Sequence, residues 1–170
     1  MQSPGPDSNR GPFAYEANAL KPAELPGHGY SYPCYVNDHP VTKGNRTEAR
    51  VLAALLERYE TILLPYGGNC RYDLAIDDGG NLLRVQCKTG QIRSGCVIFP
   101  TCSSLQHRKP GTRSNYRGQA DFFGVWCPVT KTVYLVPVED VGDRLGSLRI
   151  EPTRNNQSTG IRWAKDYELT

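Results

Sequence analysis

One stretch, Arg71 to Lys88, constrains this chain more than any other. The segment RYDLAIDDGGNLLRVQCK reads as two strands around a tight turn. Asp77 to Asn81 supplies the turn, because Gly and Asn accept a positive φ where other residues are strained. Leu83-Arg84-Val85-Gln86-Cys87-Lys88 alternates apolar with polar. Successive side chains of a strand point to opposite faces. Leu83, Val85 and Cys87 therefore share one face, and Gln86 and Lys88 the other. The hairpin also brings Asp73 toward that polar pair. An acid, an amide oxygen and an ammonium then meet at one sheet end, an arrangement that suits a divalent metal beside a phosphate. Taken alone, the same residues also read as the solvated face of a half-buried hairpin.

An acid upstream bears on that choice. Asn45-Arg46-Thr47-Glu48 predicts a helix start, with Asn45 as N-cap and Glu48 three residues later, as in a capping box. Val51, Leu52, Leu55 and Tyr59 recur at helical spacing, and Ala49, Ala53 and Ala54 favour helix. Glu48 lies one turn before Val51 and Leu52, on or beside the buried stripe. It is either a capping glutamate or an acid pointing at the sheet end.

The remaining elements form one domain over residues 39–170. Thr61–Pro65 reads as a short buried strand, 66–69 as a turn, Thr89–Ser94 as a connecting loop and Gly95–Pro100 as a strand. Phe122–Cys127 and Thr132–Val138 read as core strands joined by a turn at Pro128–Lys131. A short helix is expected over Glu139–Leu145, an edge strand over Leu148–Ile150 and a closing helix over Ile161–Tyr167. Thr101–Arg117 is polar and basic, with His107, Arg108, Lys109, Arg113 and Arg117 around Tyr116 and no acidic residue. Phosphate contacts need Lys and Arg. That loop, together with Lys43 and Arg93, is therefore the expected DNA-facing set, the alternative being a solvated loop.

Residues 1–38 differ in character. Gly, Pro, Asn and Ser recur without any helix or strand period, so a disordered or loosely attached tail is expected. Asp7-Ser8-Asn9-Arg10 can be written GAT TCG AAC CGG, whose complement contains the T-arm sequence of a tRNA. Phe13 to Asn18 can be written so that its complement folds around an anticodon loop. Read-through of a tRNA gene, with no evolved fold, is the reading for this tail.

The net charge of +3 is too small to identify a nucleic-acid binder by itself. No apolar run approaches about 18 residues, so no membrane span is expected, and no secretory signal opens the chain. The six cysteines, Cys34, Cys70, Cys87, Cys96, Cys102 and Cys127, form no CxxC pair and no zinc pattern with His28, His39 or His107. Free thiols in a cytoplasmic protein are expected.

A helix with Glu48, a strand, Asp73 at a second strand and Gln86-Cys87-Lys88 on a third resembles the PD-(D/E)xK nuclease superfamily. More closely the chain resembles its group I intron-associated homing endonuclease branch. Gly44-Asn45-Arg46-Thr47-Glu48, Tyr72-Asp73-Leu74, Arg84 to Thr89, Tyr116-Arg117 with Asp121, and Tyr134 to Pro137 carry the resemblance. It implies an α/β restriction-endonuclease-like core, a central mixed β-sheet flanked by helices. It also implies a Mg²⁺-dependent (Mn²⁺ as substitute), site-specific endonuclease for double-stranded DNA. Glu48, Asp73, Gln86 and Lys88 would be catalytic. Asp73, the Gln86 side-chain oxygen, Glu48 and the Cys87 main-chain carbonyl would hold the metal. A homodimer or homotetramer is implied, since two sites are the simplest way to cut two strands. Gln86 stands where most of the superfamily carries an acid, and the homing branch is similar in using Gln there. The alternatives are a Holliday-junction resolvase, a restriction or repair nuclease of the same fold, or an inactive DNA-binding module.

Overall fold

A computed structural model describes residues 39–68, 70–104, 113–153 and 159–169. The readings of the tail and of His107, Arg108 and Lys109 lie outside the described residues. The first element is α1 (Pro40–Leu56). It begins more than a turn before the predicted Asn45 cap. Pro40 occupies N1, where its fixed φ suits a helix and its missing N–H costs nothing, and the His39 Nδ1 accepts from the Val41 N–H at 3.4 Å. Gly44 and Asn45 are carried inside the helix because burial of Thr47, Val51 and Leu55 outweighs their weak propensity. Glu48 is therefore mid-helix, and the capping-box reading is corrected.

The strands in chain order are β1 (Thr61–Leu63), β2 (Leu74–Asp77), β3 (Leu82–Thr89), β4 (Gln91–Arg93), β5 (Cys96–Pro100), β6 (Cys102–Ser104), β7 (Arg113–Asn115), β8 (Phe122–Cys127), β9 (Thr132–Pro137) and β10 (Leu145–Arg149). The main sheet has the order β1-β2-β3-β8-β9. It is mixed: β3 and β8 are parallel, and every other neighbour pair is antiparallel. The predicted hairpin is β2–β3. Asp78 donates to the Asn81 carbonyl at 3.0 Å, with Gly79 and Gly80 at φ +64° and +133°.

Alternation along the strands builds two cores. Val85 and Cys87 of β3, Leu74 and Ile76 of β2, and Val133 of β9 meet Val51 and Leu55 of α1. The opposite face, with Phe123, Val125 and Cys127 of β8 and Tyr134 and Val136 of β9, packs on Val97, Phe99 and Leu148. Each such side chain contributes about 1.5–3 kcal/mol when fully buried. Helix and sheet approach closely at Gly124, where a Cβ would lie 2.5 Å from Val51 Cγ1.

Several expectations change. The second face of the sheet is covered by a smaller sheet, β10-β5-β4. Thr89–Ser94 is not a plain loop, since it contains β4. Ser94 and Gly95 turn that hairpin with φ +49° and +71°, the doubly positive pair that a two-residue hairpin favours. The expected buried strand at Thr61–Pro65 is an edge strand, with Thr61 and Leu63 exposed and Leu64 66% exposed. Among the described residues β2 is its only strand neighbour. The expected helix over Glu139–Leu145 is a 3₁₀ turn over Val138–Asp140, after which the chain extends toward β10. The closing helix is likewise a 3₁₀ turn over Ala164–Tyr167. The basic segment is ordered at both ends by the β6–β7 ladder. Among the described residues, Cys70, Cys87, Cys96, Cys102 and Cys127 are free thiols, and no helix is long and apolar enough to cross a membrane.

Candidate active site

The residue just before β2 is locked onto β3. The Asp73 N–H donates to the Val85 carbonyl at 2.9 Å. Its carboxylate then turns toward the C-terminal half of β3. Asp73 Oδ2 accepts from the Cys87 N–H at 2.7 Å and from the Gln86 side-chain amide. Both bonds fall on Oδ2, which leaves Oδ1 for a cation. Gln86 is 9% exposed, and its amide nitrogen also lies 3.5 Å from the Cys87 carbonyl oxygen. That N–H₂ group therefore sits against two of the oxygens, Asp73 and the Cys87 carbonyl, that the resemblance assigns to metal. The positive end of the amide dipole stands in for a cation there. Turning the amide over presents Oε1 in its place and completes a set of hard oxygen donors.

Electrostatics tie Glu48 to this place. Partial desolvation, then the charge of Asp73, push the Glu48 carboxyl above the usual carboxylate value. Burial also raises Asp73, against the Cys87 N–H, the Lys88 ammonium and the Gln86 amide, which pull it down. Two carboxyls destabilised in their charged forms by desolvation, Glu48 also by the charge of Asp73, are what a divalent cation relieves. The Cys87 thiol is pushed far up by burial, then by Asp73 and Glu48, so it is an inert core group and only its backbone belongs to the site. Among the described residues no cluster of three His, Cys, Asp or Glu side chains gathers. A donor set of two carboxylates with neutral oxygens would suit a hard divalent cation that keeps several waters.

Lys88 shares the face of Gln86. Its Nζ donates to the Tyr116 hydroxyl at 3.0 Å and lies 4.5 Å from the ring centroid. Tyr116 is 4% exposed and packs edge-on against Phe123. A ring so buried offers no surface to DNA, and its reading as a DNA contact is corrected: it holds Lys88. Arg71, which the sequence reading passed over, lies 4.2 Å from the same ring. It donates to the Ser103 hydroxyl at 2.7 Å, to the Asn115 carbonyl at 2.8 Å and to the Gln119 side chain. Arg71 thereby fastens the β6–β7 ladder beside Lys88. Its neighbours Tyr72 and Asp73 were the only sequence signal, because a lone Arg before a strand says nothing of its partners.

The other basic positions separate. Lys43 and Arg93 are exposed, on α1 and at the end of β4. Arg117 is tied to Glu139, to Asp143 at 2.9 Å and to the Val141 carbonyl at 3.0 Å, so two carboxylates offset its charge. Arg113 lies on β7. Arg84 forms a two-pronged pair with Asp121 at 2.9 and 3.0 Å, and this partner holds the Asp121 carboxyl below its usual value. The pair pins β3 to the start of β8 and is structural.

Residues 39–170 match a family model described as PD-(D/E)XK endonuclease. Among solved structures, the chain is similar to a bacterial homing endonuclease, I-Ssp6803I, with a TM-score of 0.60 and 23% identity. The match covers 76% of this chain and 88% of that one, and it shows a common fold. No curated protein matches.

Proposed function

We propose, from the premise that this chain belongs to the PD-(D/E)XK endonuclease family, that it is a Mg²⁺-dependent endonuclease that cuts double-stranded DNA at a specific site, as a homing endonuclease does. The observation that carries the reading is the arrangement at β3: Asp73 fixed on the Cys87 N–H, the Gln86 amide against it, and Lys88 held by a buried tyrosine. A divalent cation held by Asp73, Gln86, Glu48 and the Cys87 carbonyl would lower the pKa of water and neutralise phosphate charge.

The chain's own residues do the rest. Asp73 is oriented before any ligand arrives, because its Oδ2 is engaged by the backbone. Lys88 points an ammonium at the place where charge develops on the phosphate oxygens during attack, and it orients the attacking water. Tyr116 limits where that ammonium can go. The homing-type target, the twofold oligomer and the choice of Mg²⁺ belong to this proposal. Its support is the likeness of fold to a homing endonuclease and the neutral Gln86.

One observation favours a second reading. The Gln86 amide already satisfies Asp73, which an inactive DNA-binding module would also do. Incubation of the full chain with a plasmid library that carries randomised duplex inserts, so that the target site is present, decides between them. Linear product with Mg²⁺ and none with EDTA is the expected result; intact plasmid under every divalent cation, with DNA still bound, would establish the module.

A further inference from the structure

Beside the candidate active site, across α1, lies a second feature. Thr47 faces the sheet, and its hydroxyl bonds that of Thr89 at 2.6 Å. At about 100° per residue around a helix, Glu48 falls on one flank of Thr47 and Lys43, Arg46 and Arg50 fall on the other. That second flank borders an open groove of about 790 Å³ whose floor is Thr89 and Trp126. Among the described residues no carboxylate lines it. Thr89 and Trp126 are paired neighbours on parallel β3 and β8, one step beyond Lys88 and Val125.

The three cations differ from the arginines around them. Arg71, Arg84, Arg117 and Arg149 are engaged by hydrogen bonds within the fold. Lys43, Arg46 and Arg50 are exposed and form no ion pair among the described residues. Arg50 is nevertheless held, because its guanidinium lies 5.3 Å from the Trp126 ring centroid. A guanidinium stacked on an indole is oriented through its face while its edge keeps its N–H donors for an anion. Three cations of like sign gathered in one open groove, with no acid to offset them, suit a repeating anion rather than a neutral ligand.

We propose that this groove, on the helix-covered face of the sheet, binds the phosphate backbone of the DNA duplex away from the reacting phosphate, with Arg50 as its anchored contact and Lys43 and Arg46 beside it. Lys43 is among the sequence-predicted contacts; Arg46 and Arg50 are not. The contact carries no base information, so it sets register and orientation. This proposal rests on the DNA-cleaving reading.

The test is fluorescence anisotropy of a short labelled duplex of arbitrary sequence, bound by the full chain in EDTA over a salt series. Each phosphate contact contributes about 0.9 to the slope of log K against log salt, so Lys43→Ala/Arg46→Ala/Arg50→Ala should lower the slope by about 2.7. Arg50→Lys keeps the charge and should keep the slope. Arg58→Ala, exposed in the turn after α1 and outside the groove, should leave it unaltered. A triple variant with the same slope as Arg58→Ala overturns the groove alone, because the wild type still binds. A wild type that shows no salt-dependent binding overturns the DNA reading and the groove with it. Circular dichroism melts confirm that the exposed substitutions leave the fold intact.

Discussion

Asp73→Asn is the sharpest probe of the candidate centre, because it removes one charge and almost no volume. Both hydrogen bonds that reach Asp73 fall on one oxygen, and the single oxygen of Asn accepts the same two. The sign of the stability effect follows from the raised pKa of Asp73. Between the ordinary value and the raised one, the folded chain binds more protons than the unfolded chain, so stability falls as pH rises through that window. At pH 7 the full cost of a half-buried carboxylate is present, and Asn abolishes it. In EDTA the variant should melt at the same temperature as the wild type or higher. With a divalent cation the order reverses. A cation at 100 times its Kd stabilises by about 2.7 kcal/mol, roughly 10 °C for a domain of this size. Wild type should gain that shift in Mg²⁺ or in Ca²⁺, and the variant should gain almost none. The wild-type gain should shrink as pH falls through the two carboxyl pKa values, since protons compete for the ligands. Differential scanning fluorimetry reads both effects. An equal cation-induced shift in wild type and variant would refute Asp73 as the ligand.

Lys88→Met keeps the alkyl stem and removes the ammonium; plasmid cleavage should disappear while anisotropy shows DNA affinity within a few-fold, and unchanged cutting would remove Lys88 from the mechanism. Tyr116→Phe deletes the acceptor of Lys88 and leaves the packed ring; a hydrogen bond to a charged group contributes about 1.5–3 kcal/mol, so kcat should fall about ten- to a hundred-fold with KM unmoved, and an unaltered kcat counts against the positioning role. Gln86→Glu should strengthen cation binding, because a carboxylate replaces a neutral oxygen beside Asp73; isothermal titration that finds weaker binding would show that Gln86 is no ligand. Gly124→Ala should lower stability by about 1–3 kcal/mol through overpacking against Val51, and an unchanged urea midpoint would mean that α1 moves away freely.

The main sheet was legible because its signals are local. Period-two alternation in Leu83–Lys88 and the Gly79-Gly80 turn fix which face each residue takes, and the structure keeps that assignment with Cys87 in the core and Lys88 opposite. The second sheet was not legible, because β4 is three residues long and its hairpin turn is Ser94-Gly95, a weak signal beside Asn-Gly. Helix α1 was placed late because Gly44 and Asn45 look like a boundary; only packing of Thr47, Val51 and Leu55 reveals that they are interior. That Asp73, Gln86 and Lys88 come together was readable from a hairpin. Tyr116 and Arg117 were not correctly separated from solvent-facing cations, since their partners, Lys88 and the pair Glu139 and Asp143, are distant in sequence.

Helix α1 explains why these parts belong together. It lies over β3 and β8, and its buried line runs through Thr47 and Val51. A residue one step from Thr47 reaches one flank, where Glu48 senses Asp73. A residue three steps from Thr47 reaches the other, where Arg50 stacks on Trp126. One rigid element therefore fixes an acid and a set of cations on opposite sides of the Thr47–Thr89 contact. A substrate that must place one phosphate at the acid's side and another against the arginines needs that spacing held constant. Gly124 makes it so, because only the missing Cβ lets Val51 seat against Val85 at this depth. The packing of the helix is thus as much a part of the proposed chemistry as the carboxylates, and it accounts for a helix that forms through Gly44 and Asn45 despite their weak propensity.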